Sequence, residues 1–339
     1  MTLKTTTRPI ERPPKPPAWM AKALKIGLTI AVLVGLVIAA MKYLQGEAIL
    51  AALRSFQWRY LPLMLLAAAS ALLLKAWRFQ LLLQPVYRVS WKIPWKVFFA
   101  GQPAAVLPGG VAAQAGMMKE AGADLGRSSA PVLLASLEDQ LILVGGSLLA
   151  ALWFEPARMP VAVILGLFGL VALLLWWRPS RHWINQLALR VAGRFNLAHS
   201  LRNFQGVLPQ LGSPSLLALT LGITAVSFAL KFAVLVLAVW GSGLDLTYWS
   251  MFLAFIVPSL LGRVVPVPAG IGVVDASMVG FLAAAAALDA NTAAAVVALF
   301  RVIMIFLPVV VGAIVYFLVW RGAREAVVHS QTVTTLDAR

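Results

Sequence analysis

Residues 260–280, reading L-L-G-R-V-V-P-V-P-A-G-I-G-V-V-D-A-S-M-V-G, constrain the fold more than any other part of the chain. The stretch lies inside a long apolar segment, yet it holds Pro266, Pro268, four glycines, Arg263 and Asp275. Proline removes a backbone donor, and each glycine weakens a helix by about 1 kcal/mol relative to alanine. In a bilayer no water satisfies the freed backbone groups, so broken backbone has to be buried in protein or line a wet space. The stretch predicts a broken helical hairpin over 249–288 that lines a cavity, with Pro268, Gly270 and Gly272 at its tip. The plainer alternative is one proline-kinked span with packing glycines, because both residues are frequent in membrane helices.

A bilayer is the right solvent to assume. The chain is 61% hydrophobic and 12% charged, with a mean hydropathy of +0.88, far from the balance of a soluble domain. It has no cysteine, which excludes disulfides and thiolate sites. His182, His199 and His329 lie in polar segments without ligand spacing, so no metal site is assigned. The net charge of +16 is accounted for by basic cytoplasmic loops and calls for no nucleic acid.

The apolar runs thread as an all-α, polytopic membrane protein. A disordered, basic, proline-rich tail (1–23) precedes one transmembrane domain (24–320) and a short tail (321–339), with both termini cytoplasmic. Six spans are expected near 24–41, 61–77, 130–154, 161–177, 214–240 and 292–320, the first a signal anchor. Lys75 and Arg78 are expected to mark the cytoplasmic end of the second span. A second broken hairpin is expected at 93–127, interrupted by Pro103 and by Pro108, Gly109 and Gly110. The polar segment 178–212 predicts amphipathic helices on the inner leaflet. With this threading 21 of the 28 basic residues are cytoplasmic, a bias that fixes orientation. The expected location is a prokaryotic plasma (inner) membrane.

Three plain spans separate the hairpins, so one opens to the cytoplasm and the other to the outside. Each is followed by a span bearing charge: Glu138 lies 30 residues after Pro108 and Arg301 lies 33 after Pro268. Paired broken elements of opposite orientation are how secondary transporters build a midplane site. Glu138, Asp139, Lys231, Arg263, Asp275 and Arg301 all fall within apolar segments, where an unpaired charge costs at least ~2.5 kcal/mol. As a set they predict a polar interior whose basic members, Lys231, Arg263 and Arg301, hold an anion. Salt bridges that lock the bundle, such as Arg263 with Asp275 across the tip, are the architectural alternative.

The run W-R-F-Q-L-L-L-Q-P, then L-P-G-G-V, then P-V-P-A-G-I-G-V-V-D-A-S, then an arginine in the last long span, resembles the lysylphosphatidylglycerol synthase transmembrane family, also described as flippase-like. The resemblance covers nearly everything after residue 24 and implies a domain that moves lipids between leaflets. Two neighbourhoods depart from the family pattern. Lys119 stands near where the family has an arginine after L-P-G-G, and Asp139 stands where it has a basic residue beside the acidic one. Asp275 replaces the usual glutamate. Nineteen residues follow Trp320, which leaves no room for a soluble synthase domain.

The resulting expectation is a transporter of a phospholipid or lipid-linked substrate with an anionic headgroup, and not an enzyme. The alternatives are a membrane-embedded headgroup transferase with Asp275 or Glu138 as general base, or an accessory subunit of a lipid or polysaccharide pathway. No cofactor is implied, and no P-loop motif G-x-x-x-x-G-K-[ST] occurs. The expected partners are membrane lipids, with room for a homo-oligomer or a pathway partner.

Overall fold

The computed structural model describes residues 54–153, 198–264 and 270–320, apart from Arg88, Pro108, Gly109, Val111, Ile271 and 287–289, with a few helical positions between 158 and 186. The expected span 24–41 and both tails lie outside the described residues, as do Pro108, Gly109, Pro266 and Pro268, and most of 161–177.

All regular structure among the described residues is helical. A 3-10 turn, Trp58–Tyr60, leads into α1, Leu61–Leu83. Then come α2, Lys92–Ala100, α3, Gln102–Ala105, and α4, Ala112–Glu120. The long α5, Leu125–Trp153, is followed by α6, Ala198–Leu211, and α7, Pro214–Gly241. The chain continues through α8, Tyr248–Val264, α9, Val273–Ala286, and α10, Ala290–Arg301. A π-helical turn, Val302–Phe306, joins α10 to α11, Leu307–Leu318.

Local sequence explains the boundaries. Pro62, Pro214 and Pro308 sit at the first positions of α1, α7 and α11, where the missing donor costs nothing. Two helices end on a left-handed glycine. After α4, Gly122 has φ 95° and Ala123 N–H donates to Met118 O at 3.0 Å. After α7, Gly243 has φ 75° and Leu244 N–H donates to Val239 O at 3.2 Å. Both closures satisfy carbonyls that a helix end leaves open.

Four helical stretches are long and apolar enough to cross a membrane: Trp58–Leu83, Leu125–Leu152, Pro214–Gly241 and Ala290–Leu318. Their outward faces confirm the solvent. On α5, Leu141 is 61% exposed whereas Asp139 is 6% exposed, the inverse of a soluble helix. The protein is a multi-pass membrane protein.

The contacts pair off reciprocally between two halves of the described chain. α1 packs on α7. Within each half, α5 packs on α4 and α10 on α9. Across the halves, α5 packs on α8, while α11 packs on α2 and α3. A glycine lets each long helix in. A Cβ on Gly146 of α5 would lie 2.7 Å from the Ile256 side chain, and one on Gly312 of α11 would lie 2.5 Å from Phe99 O. Small residues at such crossings replace the hydrophobic drive that lipid removes.

Several expectations change. The second span does not stop at Trp77: α1 continues to Leu83, so Lys75 and Arg78 lie within it and turn inward. The last span is not one regular helix, since the π turn interrupts it immediately after Arg301. Within 178–212 the described helix α6 buries Val207 and Leu211 against Ala130 of α5, so part of its apolar face meets protein and not lipid. Lys119, at the end of α4, is exposed.

Candidate functional site: a buried charge cluster beside the hairpin tip

The polar residues that the sequence scatters over 189 positions, from Lys75 to Arg263, meet at Asp139. This residue lies fourteen positions from either end of α5. Its Oδ2 accepts from Lys75 Nζ at 2.8 Å and from an Arg263 terminal nitrogen at 3.4 Å, and its Oδ1 accepts from an Arg78 terminal nitrogen at 2.8 Å. One carboxylate thus answers three cations from α1 and α8. Charge-assisted bonds of this kind are the strong ones.

The neighbouring acid is held differently. Glu138 Oε1 accepts from Thr220 Oγ1 and Oε2 accepts from Thr224 Oγ1 at 3.3 Å, both on α7. Arg78 stands 3.6 Å from Oε2 and also donates to Thr224 Oγ1 at 2.6 Å. Thr220 and Thr224 are one turn apart, so their hydroxyls share the α7 face turned to α5. Arg78 is 5% exposed and Glu138 3% exposed. These two, with the threonines, form the sealed floor of the cluster.

Lys231, further along α7, joins the cluster beside Lys75. Its Nζ lies 5.1 Å from the centroid of the Phe228 ring, and Lys75 Nζ lies 5.3 Å from the same centroid. The ring therefore faces two ammonium groups, each at cation–π distance. Lys231 is within electrostatic range of Lys75, Asp139 and Arg263, but among the described residues no carboxylate is at ion-pair distance from it.

Gly270, Gly272, Asp275 and Arg301 form a second polar centre. α8 ends at Val264 and α9 begins at Val273, with Gly270 at φ 66° and Gly272 at φ 87° between them; only glycine adopts such backbone without strain. A Cβ on Gly262 would meet Val274 Cγ2 at 2.3 Å, and one on Gly270 would meet it at 2.4 Å, so the two glycines allow the arms to close. Asp275 Oδ2 accepts from Gly272 N–H at 2.9 Å and Oδ1 accepts from Arg301 Nε. Arg301 also donates to Gly270 O at 3.5 Å.

The pairing therefore differs from the Arg263–Asp275 bridge considered from sequence. Arg263, the penultimate residue of α8, crosses to Asp139, and Asp275 is taken by Arg301. Glu138, Asp139, Lys231 and Arg263 gather in the first centre, and Asp275, Arg301, Gly270 and Gly272 in the second. Gly110, at the first hairpin's turn, sits where a Cβ would meet Ala104 O at 1.6 Å, remote in sequence from both. Sequence reasoning missed Lys75, Arg78, Thr220, Thr224 and Phe228. The signal was available for the first two: apolar residues continue beyond Arg78 through L-L-L.

No metal-binding group of histidine and acidic residues occurs among the described residues. No curated protein matches the sequence. The family model described as the lysylphosphatidylglycerol synthase TM region matches residues 24–312. That span contains every residue of both polar centres, and the chain belongs to the lysylphosphatidylglycerol synthase transmembrane family.

Proposed function

We propose that the protein is a flippase-like transporter that moves a phospholipid or lipid-linked substrate between leaflets through a polar intramembrane path. One observation carries this reading: the last turn of α8 places Arg263 on Asp139 at the midpoint of the 29-residue α5. A hairpin arm that ends beside the middle of a spanning helix supports a tip at membrane depth, with six spans and two re-entrant hairpins around it. The reciprocal contacts support an inverted repeat, in which the hairpins enter from opposite sides. The headgroup would meet Lys75, Lys231 and Arg263, while the acyl chains stay in lipid. The setting is a prokaryotic plasma membrane, with both termini cytoplasmic.

The transferase alternative is less well supported. Both carboxylates it needs as a base already accept hydrogen bonds, Glu138 from two threonines and Asp275 from Gly272 and Arg301. The test is reconstitution into liposomes with a fluorescent phospholipid and a membrane-impermeant quencher. Transport predicts that the protein speeds exposure of inner-leaflet probe and that Arg263→Ala slows it. Exchange no faster than in empty liposomes, across anionic and zwitterionic probes, would sink the proposal.

A further inference from the structure

The donors and acceptors of the Asp139 cluster do not balance. Four cations, Lys75, Arg78, Lys231 and Arg263, face two carboxylates, Glu138 and Asp139. Every carboxylate oxygen already holds a partner. Both Asp139 oxygens take cations, and both Glu138 oxygens take threonine hydroxyls. Many of the cations' donors hold none. Each ammonium has three N–H groups and each guanidinium five. Lys75 and Arg263 each spend one contact on Asp139, the buried Arg78 Nε has no partner, and Lys231 meets an aromatic ring in place of an acid.

Exposure separates the roles. The Arg78 side chain is 6% exposed and the Arg263 side chain 35% exposed. Arg78 is thus a fixture and Arg263 is the most open of the cations, while the Lys75 side chain is 13% exposed and Lys231 is part-buried. A cationic headgroup would add a fifth cation to a site that already sets four against two carboxylates. A zwitterion would leave the charge excess as it was, and a monoanion would cancel half of it. Uncompensated charge at membrane depth is costly, and phosphoryl oxygens suit both the point charge of lysine and the fork of arginine.

We propose that Lys75, Lys231 and Arg263 form a site for a doubly charged phosphoryl group, a phosphomonoester headgroup or phosphate itself, and not for a zwitterionic or cationic headgroup. This specifies the substrate class of the transport reading and rests on it for the ligand's route to the site.

The test uses the full chain purified in uncharged detergent, with binding measured by competition against fluorescent phosphatidic acid. The competitors are phosphatidic acid, phosphatidylglycerol, phosphatidylcholine, lysyl-phosphatidylglycerol and sodium phosphate. Phosphatidic acid should bind at least about ten-fold more tightly than phosphatidylglycerol, with phosphatidylcholine and the lysyl lipid weaker still. Phosphate that competes as well as phosphatidic acid identifies free phosphate as the source; phosphate needed in large excess identifies the lipid. Both uphold the chemistry. Equal affinity for phosphatidic acid and phosphatidylglycerol, or preference for the lysyl lipid, overturns it.

Lys231→Gln should lose at least about ten-fold in phosphatidic acid affinity and Lys231→Arg should retain it, with Lys119→Gln, at an exposed position, unchanged. Wild-type affinity in Lys231→Gln also overturns the assignment. Lipid exchange in liposomes without phosphomonoester preference refutes this inference alone. Such a preference without lipid exchange refutes the transport reading alone.

Discussion

Arg301 donates from Nε to Asp275 Oδ1, so the last residue of α10 holds the first turn of α9 closed over the glycine tip. Asp275 is the only acidic residue in that turn, where a negative charge also favours the helix N-terminus. Three effects therefore converge on one carboxylate: the guanidinium, the Gly272 amide and the helix end.

Separating the partners should cost more than removing both. Asp275→Asn and Arg301→Gln are each expected to destabilise the protein, and the double variant by less than the sum. A coupling of about 1–3 kcal/mol is expected for a contacting, partly buried pair. Thermal unfolding of the four proteins in one detergent measures it; additive losses would show that the clasp contributes nothing of its own.

Asp139→Asn should be the most damaging conservative change in the interior. It leaves Lys75, Arg78 and Arg263 facing one another with Glu138 as the nearest acid. Breaking a buried ion pair from one side costs about 3–5 kcal/mol. Adding Lys75→Gln should recover part of the loss. Folded yield by size-exclusion chromatography and thermal unfolding report both, and a double variant no better than Asp139→Asn contradicts the charge balance.

Gly312→Ala should destabilise by about 1–3 kcal/mol, the usual penalty of overpacking, because the new methyl meets the carbonyl of Phe99 and the ring of Pro103 at 2.5 and 2.7 Å. Gly146→Ala meets side-chain atoms of Ile256, Cγ1 and Cδ1 at 2.7 and 2.8 Å, with no backbone atom among the three nearest, so it should cost less. At Gly280 nothing lies within 4 Å, and alanine there should be neutral or slightly stabilising. Melting temperatures in the order Gly280→Ala, Gly146→Ala, Gly312→Ala, from highest to lowest, are expected.

The absence of cysteine makes topology directly testable. Lys119→Cys, at the end of α4, and Ser213→Cys, just before α7, should react with an impermeant thiol reagent from the cytoplasmic side. Asp245→Cys, beyond the other end of α7, should react from outside. Labelling of 119 and 245 from one side would overturn the threading.

Much of this was legible in the sequence, because lipid imposes few choices. Length and hydropathy indicated a helical membrane protein, and four helices long and apolar enough to cross a bilayer are present. What failed was partner choice. Arg263 and Asp275 are twelve residues apart and looked like a local pair, whereas the fold brings in Asp139 and Arg301 from other helices. Lys75 and Arg78 looked like interface markers since basic residues usually end a span; only their packing against α5 and α7 shows otherwise. The π turn after Arg301 carries no signal in its own residues, V-I-M-I-F.

The two glycine crossings also bear on assembly. Because Gly146 opens α5 to the hairpin of the later half, and Gly312 opens α11 to that of the earlier half, each half supplies the wall its counterpart lacks. The polypeptide is in effect a covalently tethered pair of mutually completing pieces. A side chain at either glycine would wedge the two apart, at the Ile256 side chain in one case and at the Phe99 carbonyl in the other.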